Sequence, residues 1–213
     1  MATKQQIEEF VACAHRVGKE NLTICSSGNL SIRIGDEVLI SGTGSWLPDL
    51  KAENVSVVNF SDGKVIEGPK PSMESVFHLG VLRERDGEVN CVLHFQSPYA
   101  TAVACMAERP KDFNFTAECP LHVGEEIPMI PYFRPGSPEL ASHVVETMKT
   151  HNSVMLLKHG QIVCGKDFRQ ALERAMFFEM ACRIAVINGK NIDPLTPAEI
   201  GDLESYFLGK LTK

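Results

Sequence analysis

The segment "NLSIRIGDEVLIS", residues 29–41, limits the fold more than any other stretch. Leu30, Ile32 and Ile34 alternate with polar residues, the chain reverses at Gly35-Asp36, and Val38 and Ile40 resume the alternation. A period of two places every second side chain on one face of a strand, and a short Gly-containing break returns the chain as an antiparallel neighbour. "VSVVNFSDGKVIEG" (55–68) repeats the plan around Ser61-Asp62-Gly63. Two hairpins so placed demand a sheet that is largely antiparallel or mixed.

Helical spacing supplies the layers around it. Ile7, Phe10, Val11, Ala14 and Val17 form an apolar stripe over residues 4–19. Ser72 has the chemistry of an N-cap, so a helix is expected to start there. Ser137 followed by Pro138 starts another over 137–150. Residues 98–107 read as a short Ala-rich helix, and 167–188 as a long one closed by Gly189. "TPAE" (196–199) is a capping box opening a last helix. "NCVLHF" (90–95) and "SVMLLKHG" (153–160) read as strands. The expected fold is α/β in three layers, α/β/α, with a central mixed sheet flanked by helices. No linker or repeat interrupts residues 1–213, which are expected to form a single domain.

Composition narrows the partners. The net charge of −6 argues against nucleic acid as a ligand. No apolar run approaches the ~18 residues that span a bilayer, and the first ten residues lack a hydrophobic signal region. The seven cysteines are scattered without a C-x-x-C pair. Such a set reads as reduced core thiols, Cys91 and Cys164 included, in a cytoplasmic protein.

Three loops carry chemistry. In "CVLHFQS" (91–97), His94 ends an apolar run and Gln96 follows on the same face of the strand. "LLKHG" ends in His159 in the same manner. A lone strand-end histidine is commonly a hydrogen-bonded structural residue. Two of them on neighbouring strands reach one metal ion at ~2.0–2.1 Å from each nitrogen. Gln96 then offers an amide oxygen as a weak third ligand, or a hydrogen bond to a metal-bound water. Glu74, in "PKPSMES", belongs in a first helical turn for dipole reasons alone. Beside a metal, the same carboxylate can bind the ion or carry a proton. "SSGNLS" (26–31) and "SGTGS" (41–45) flank one hairpin and combine small residues with hydroxyls and amides, which suit a phosphate as well as ordinary turns. Ser72 adds a further donor. His78, one helical turn past Glu74, is read as a packing residue.

Taken in order, "SSGNLSIR", "ISGTG", "PSMES…FH", "VLHFQS", "IPMIPYFRPGSPEL" and "LLKHGQIVCG" resemble the class II aldolase/adducin family from about residue 5 to about residue 188. The resemblance implies a zinc-dependent aldehyde-lyase with one divalent ion per subunit, built as a homotetramer with active sites at subunit interfaces. It implies that Gly28, Asn29, Thr43, Gly44 and Ser72 bind a substrate phosphate, that Glu74 is the acid/base, and that His94 and His159 ligate zinc. The implied reaction cleaves a ketose 1-phosphate such as L-fuculose 1-phosphate to dihydroxyacetone phosphate and L-lactaldehyde through an enediolate. A related dehydratase or epimerase, or a non-catalytic adducin-like binding module, shares the scaffold. The sequence departs from the family pattern at three places. Gln96 stands where a second histidine is usual, Met73 where a second serine is usual, and residues 111–126 hold Phe113 and Phe115 but no tyrosine. Gln96 is expected to weaken metal binding while leaving the ion a stronger Lewis acid. A tyrosine donor to the leaving aldehyde would contribute about 10²–10⁴-fold.

Overall fold

The computed structural model describes residues 2–189 and 191–211. Helix α1 (Lys4–Lys19) opens with a capping box between Thr3 and Gln6 and buries Phe10, Ala14 and Val17, the predicted stripe. The two hairpins follow as β1 (Gly28–Ile34) with β2 (Glu37–Ser41), and β3 (Val55–Asn59) with β4 (Val65–Glu67). Then come α2 (Ser75–Glu84), β5 (Cys91–Phe95), α3 (Pro98–Cys105), β6 (Met129–Ile130), α4 (Pro138–Met148), β7 (Ser153–Leu156), β8 (Gly160–Gly165), α5 (Phe168–Asn188) and α6 (Pro197–Leu211). Ser137, Asp167 and Thr196 each accept a backbone N–H at the start of a helix, as N-cap chemistry predicts.

The eight strands form one sheet in the order β4-β3-β2-β1-β5-β8-β7-β6. Among the described residues only the β6–β7 pair is parallel. Side chains alternate between two cores. On one face Leu30, Leu39, Leu93, Phe95 and Val163 meet Phe10, Val103 and Phe178 of α1, α3 and α5. On the other, Val38, Ile40, Val92, Val154 and Ile162 meet Phe77, Leu82, Leu140 and Val144 of α2 and α4. This is the expected α/β/α layering, each large buried side chain contributing roughly 1.5–3 kcal/mol.

Two expectations are corrected. The strand expected over 153–160 stops at Leu156, and β8, which the sequence reading did not assign, begins at Gly160. Lys158 turns the chain with φ of 59°, so His159 sits in a hairpin turn and not on a strand. Gly160 is required there, because a Cβ would lie 2.6 Å from the Phe95 carbonyl oxygen and 2.9 Å from His94 Cε1. The other correction concerns α2, which starts at Ser75 with Glu74 as its N-cap, three residues later than the Ser72 start predicted. Pro71 bridges to Gly42, and the Ser72 amide donates to the Ser41 carbonyl. Both contacts hold the chain extended alongside the end of β2, so Ser72 closes a turn ahead of the helix.

The described cysteines are unpaired. Burial pushes the Cys119 thiol up to about 12 and the Cys13 thiol to about 11; Cys91, Cys119, Cys164 and Cys182 are core thiols as expected, whereas Cys25 and Cys105 are exposed. Among the described residues no helix is long and apolar enough to cross a membrane.

Candidate metal centre and anion cleft

The site forms where the second core gives way to polar residues. Antiparallel pairing of β1 with β5 sets Asn29 opposite His94, and Leu30 opposite Leu93. Directly opposed residues share a face, so Asn29, Ser31 and His94 all point toward α2. The start of α2 brings Glu74 over them, only 5% exposed, and one turn later His78, fully buried. The β7–β8 turn delivers His159 from the side. Strand β1 enters with Gly28 at φ of 144°, where a Cβ would lie 2.5 Å from Thr23 Cγ2 and 3.0 Å from the His94 carbonyl oxygen. Glycine there lets β1 pack against the end of β5.

Three of the predicted side chains converge. Glu74 Oε2 lies 3.5 Å from His94 Nε2, and Glu74 Oε1 lies 3.7 Å from His159 Nε2. The two imidazole rings are 4.9 Å apart at 63°. All the donor atoms fall within 4.8 Å of one another, the one such cluster of three or more His, Cys, Asp or Glu among the described residues. Cys91 and Cys164 are outside it. Ligands about 2.0–2.1 Å from a tetrahedral ion are separated by roughly 3.3 Å, so the set needs only a slight contraction to hold a cation.

The electrostatics favour the same reading. His94 Nδ1–H donates to the Gln161 carbonyl at 2.9 Å, which fixes the ring with Nε2 turned toward Glu74. Burial, reinforced by His94, lowers His159 to about 4, so its ring is neutral and a lone pair is available at neutral pH. Burial raises the Glu74 carboxyl, but His94, Asn29, His159 and His78 act against it and together hold it below the usual carboxylate value. Glu74 Oε1 is buried with no hydrogen-bond partner, and so is His159 Nδ1. A buried carboxylate oxygen without a donor, 3.7 Å from Nε2 of the neutral His159 ring, suits a divalent cation.

Behind Glu74 runs a chain of buried polar groups. Asn29 Nδ2 donates to Glu74 Oε2 at 2.9 Å, Asn29 Oδ1 meets His78 Nε2 at 2.5 Å, and His78 Nδ1 meets Ser31 Oγ at 2.8 Å. Burial lowers His78 to about 3, with Glu74 opposing and His94 adding to the shift. His78 is therefore no mere packing residue. No sequence signal marked this network, because Asn29 and Ser31 share with Arg33 the polar alternation of an ordinary half-buried strand.

A cleft of about 380 Å³ opens beside the cluster, lined by Gly28, Asn29, Thr43, Gly44 and Ser72 together with Glu74, His94, Gln96 and His159. Every sequence-predicted site residue therefore lines one cavity. Gln96 lies just past the end of β5, its Cγ 2.7 Å from where a Gly160 Cβ would stand. The anion-loop amides are partly engaged already: Thr43 N–H donates to Lys70, Ser45 N–H to Gly42, and Glu74 N–H to Ser72 Oγ. A larger groove of about 640 Å³ runs along Met106–Asp112, but the three converging donors line the smaller cleft, which is therefore the candidate site.

Known proteins share this arrangement of chain. A family model described as Class II Aldolase and Adducin N-terminal domain matches residues 8–186. A 3-oxo-tetronate 4-phosphate decarboxylase of Haemophilus influenzae is 32% identical over 210 residues, covering 96% of this chain and 99% of that protein. An L-fuculose phosphate aldolase of Methanococcus maripaludis is 32% identical over 178 residues, 84% of this chain and 94% of that protein. Among solved structures, YgbL from Escherichia coli superposes with a TM-score of 0.86 at 29% identity, covering 93% of this chain and 97% of that one.

Proposed function

The chain belongs to the class II aldolase and adducin family, and from that premise we propose that it is a single-domain, metal-dependent lyase that decarboxylates a phosphorylated 3-oxo acid of the 3-oxo-tetronate 4-phosphate type. The observation that carries the lyase reading is the convergence of Glu74, His94 and His159 on one point at the edge of an anion cleft. Those three donors would hold a divalent cation, zinc by their nitrogen-rich set, which would supply Lewis acidity toward the hydroxyketone oxygens. Thr43, Gly44 and Ser72 hold the phosphate, with Gly28 and Asn29 shaping the floor beneath it. Glu74 is a ligand at rest and the proton carrier in turnover. Gln96 flanks the ion as a weak ligand or as a hydrogen-bond partner of its water.

In the reaction the bond between C1 and C2 breaks, the carboxylate leaves as carbon dioxide, and the electron pair remains on C2 as the enediolate. Glu74 delivers one solvent-derived proton to C2, giving dihydroxyacetone phosphate. No hydroxyl proton moves at the leaving group. Aldol cleavage differs here, because a hydroxyl proton must be removed as the aldehyde departs. Phe113 and Phe115, in the segment where the family resemblance places a tyrosine, suit the decarboxylation. So does the identity with the decarboxylase relatives, which extends over nearly the whole chain.

Cleavage of L-fuculose 1-phosphate is the second reading, supported by the 32% identity with an archaeal fuculose phosphate aldolase. The same reading takes the cleft to lie at a subunit interface of a cytoplasmic homotetramer. Exposed Ile24, Trp46, Met73 and Val76, neighbours in sequence of cleft residues, support that assembly. Zinc-loaded protein is to be assayed with both substrates, measuring carbon dioxide, aldehyde and dihydroxyacetone phosphate. Carbon dioxide and dihydroxyacetone phosphate in equal amounts from the oxo acid are expected. Aldehyde release from the ketose phosphate alone selects the second reading, and no turnover of either substrate by zinc-loaded protein rejects both.

A further inference from the structure

We infer that His78 is a positioning residue, which locks the Asn29 amide and through it sets the Glu74 carboxylate so that Oε1 faces the cation position. The inference rests on the metal-lyase reading above for its functional consequence, though not for its geometry.

The hydrogen bonds determine one another in sequence. A carboxylate only accepts, so Asn29 must present its NH₂ group to Glu74 Oε2. Its carbonyl oxygen, Oδ1, then faces His78, and an oxygen there requires a donor. His78 must carry its proton on Nε2. Its Nδ1 is consequently an acceptor, and Ser31 Oγ–H must donate to it. One polarity runs from Ser31 through His78 and Asn29 to Glu74, and each member is buried. The opposite histidine tautomer sets a lone pair against the Asn29 oxygen. It invites the amide to flip and turn that oxygen on Glu74 Oε2. Two unshared pairs at hydrogen-bond distance in a buried site are costly, so the carboxylate would rotate away.

The ring itself has little freedom. It stacks on Phe77 at 4.8 Å and 18°, and it sits on α2 one turn from Glu74, so both side chains hang from the same rigid element. Glu74 thereby keeps one oxygen, Oε2, bonded to Asn29, and the other, Oε1, without a partner and 3.7 Å from His159. A carboxylate with one oxygen tied and one open is what a cation site of this geometry needs. Both ring nitrogens of His78 are engaged, with Ser31 and Asn29, and it is outside the converging donor set, so its effect must pass through Asn29.

The test has three readouts on the full-length protein. The first is ¹⁵N-histidine NMR of the native chain at neutral pH, with and without zinc. Here His78 is expected as the Nε2–H tautomer, and an Nδ1–H tautomer overturns the inference. The second is zinc affinity by competition with a chromophoric chelator. His78→Phe keeps an aromatic ring beside Phe77 but removes the donor, and a loss of about 10-fold or more is expected. His78→Gln, whose amide can donate to Asn29, should recover part of it. Unchanged zinc affinity in His78→Phe overturns the inference, as does equal loss in both variants. The third is the split between kcat and KM for 3-oxo-tetronate 4-phosphate. In His78→Phe kcat should fall about 10-fold or more with KM within about threefold. If the native protein turns over neither substrate, the proposed reaction fails while tautomer and zinc affinity still decide the role of His78. If His78→Phe does not fold, the native tautomer decides alone.

Discussion

The two faces of the sheet are built on opposite rules. Under α1, α3 and α5, β5 presents Cys91, Leu93 and Phe95, apolar to the end of the strand. Under α2 and α4 the same strand presents Val92 and then His94, and β1 presents Ser31 and Asn29. The first face is stabilised chiefly by buried apolar area. The second abandons area near the strand ends and replaces it with groups that bond one another. Buried polar groups are tolerable when each finds a partner, and here Glu74 Oε1, buried without one, lies 3.7 Å from His159 Nε2 at the candidate centre. The apolar face has a contrasting exception. Gln161 is fully buried and neither atom of its amide has a protein partner, while its backbone carbonyl orients His94. The candidate site lies where polar side chains are assembled from four separate elements, β1, α2, β5 and the β7–β8 turn.

That contrast breaks if polar-face residues matter for stability and not for turnover. Glu74→Gln keeps the shape and the Asn29 contact in part but removes the charge. It should lower kcat/KM by about 10²–10⁴-fold with little change in the urea midpoint, and a loss under tenfold would remove Glu74 from the chemistry. The converse change is Phe178→Ala, opposite Phe95 at 6.0 Å. It should destabilise the fold by about 3–5 kcal/mol in denaturant titration, with zinc affinity per folded molecule preserved. A cost below about 1 kcal/mol would show that this face is not held by packing.

Gln96→His sharpens the polar side. It restores an imidazole two residues past His94 and should tighten zinc roughly 10- to 100-fold in chelator competition. No change would place Gln96 outside the coordination.

Acidification probes the same face more gently. His78 titrates near 3 and His159 near 4 in the fold, against 6.5 for free imidazole. Between pH 6.5 and these values the unfolded chain holds protons that the folded chain does not, so stability falls as pH falls. Each histidine contributes a slope of up to about 1.4 kcal/mol per pH unit, His159 losing its share near pH 4 and His78 near pH 3. Glu74, lowered in the fold, acts in the same direction at the acid end. Urea midpoints of metal-free protein across pH 4–7 measure this, and a flat profile would mean the rings are not held neutral.

The sequence by itself determined what depends on near neighbours along the chain. Both hairpins, the caps at Ser137 and Thr196, the stripe on α1 and the strand-end position of His94 are patterns within a few residues, because dihedral preference, turn chemistry and side-chain period act at that range. It also brought Glu74, His94 and His159 forward as residue types suited to one ion. Only the tertiary structure decided how they are supported. The start of α2 moved because Pro71 and Ser72 pair with the end of β2, a contact across 31 residues between Ser72 and Ser41. His159 reached the centre through a turn that Gly160 permits. Asn29, read as an anion ligand, proved also to bond Glu74, 45 residues away, and His78, read as packing, proved to bond Asn29 across 49 and Ser31 across 47. Hydrogen bonds of such separation leave no periodicity behind. They exist only once the sheet has closed and water has been excluded, when each buried donor must find whatever acceptor the fold has brought beside it.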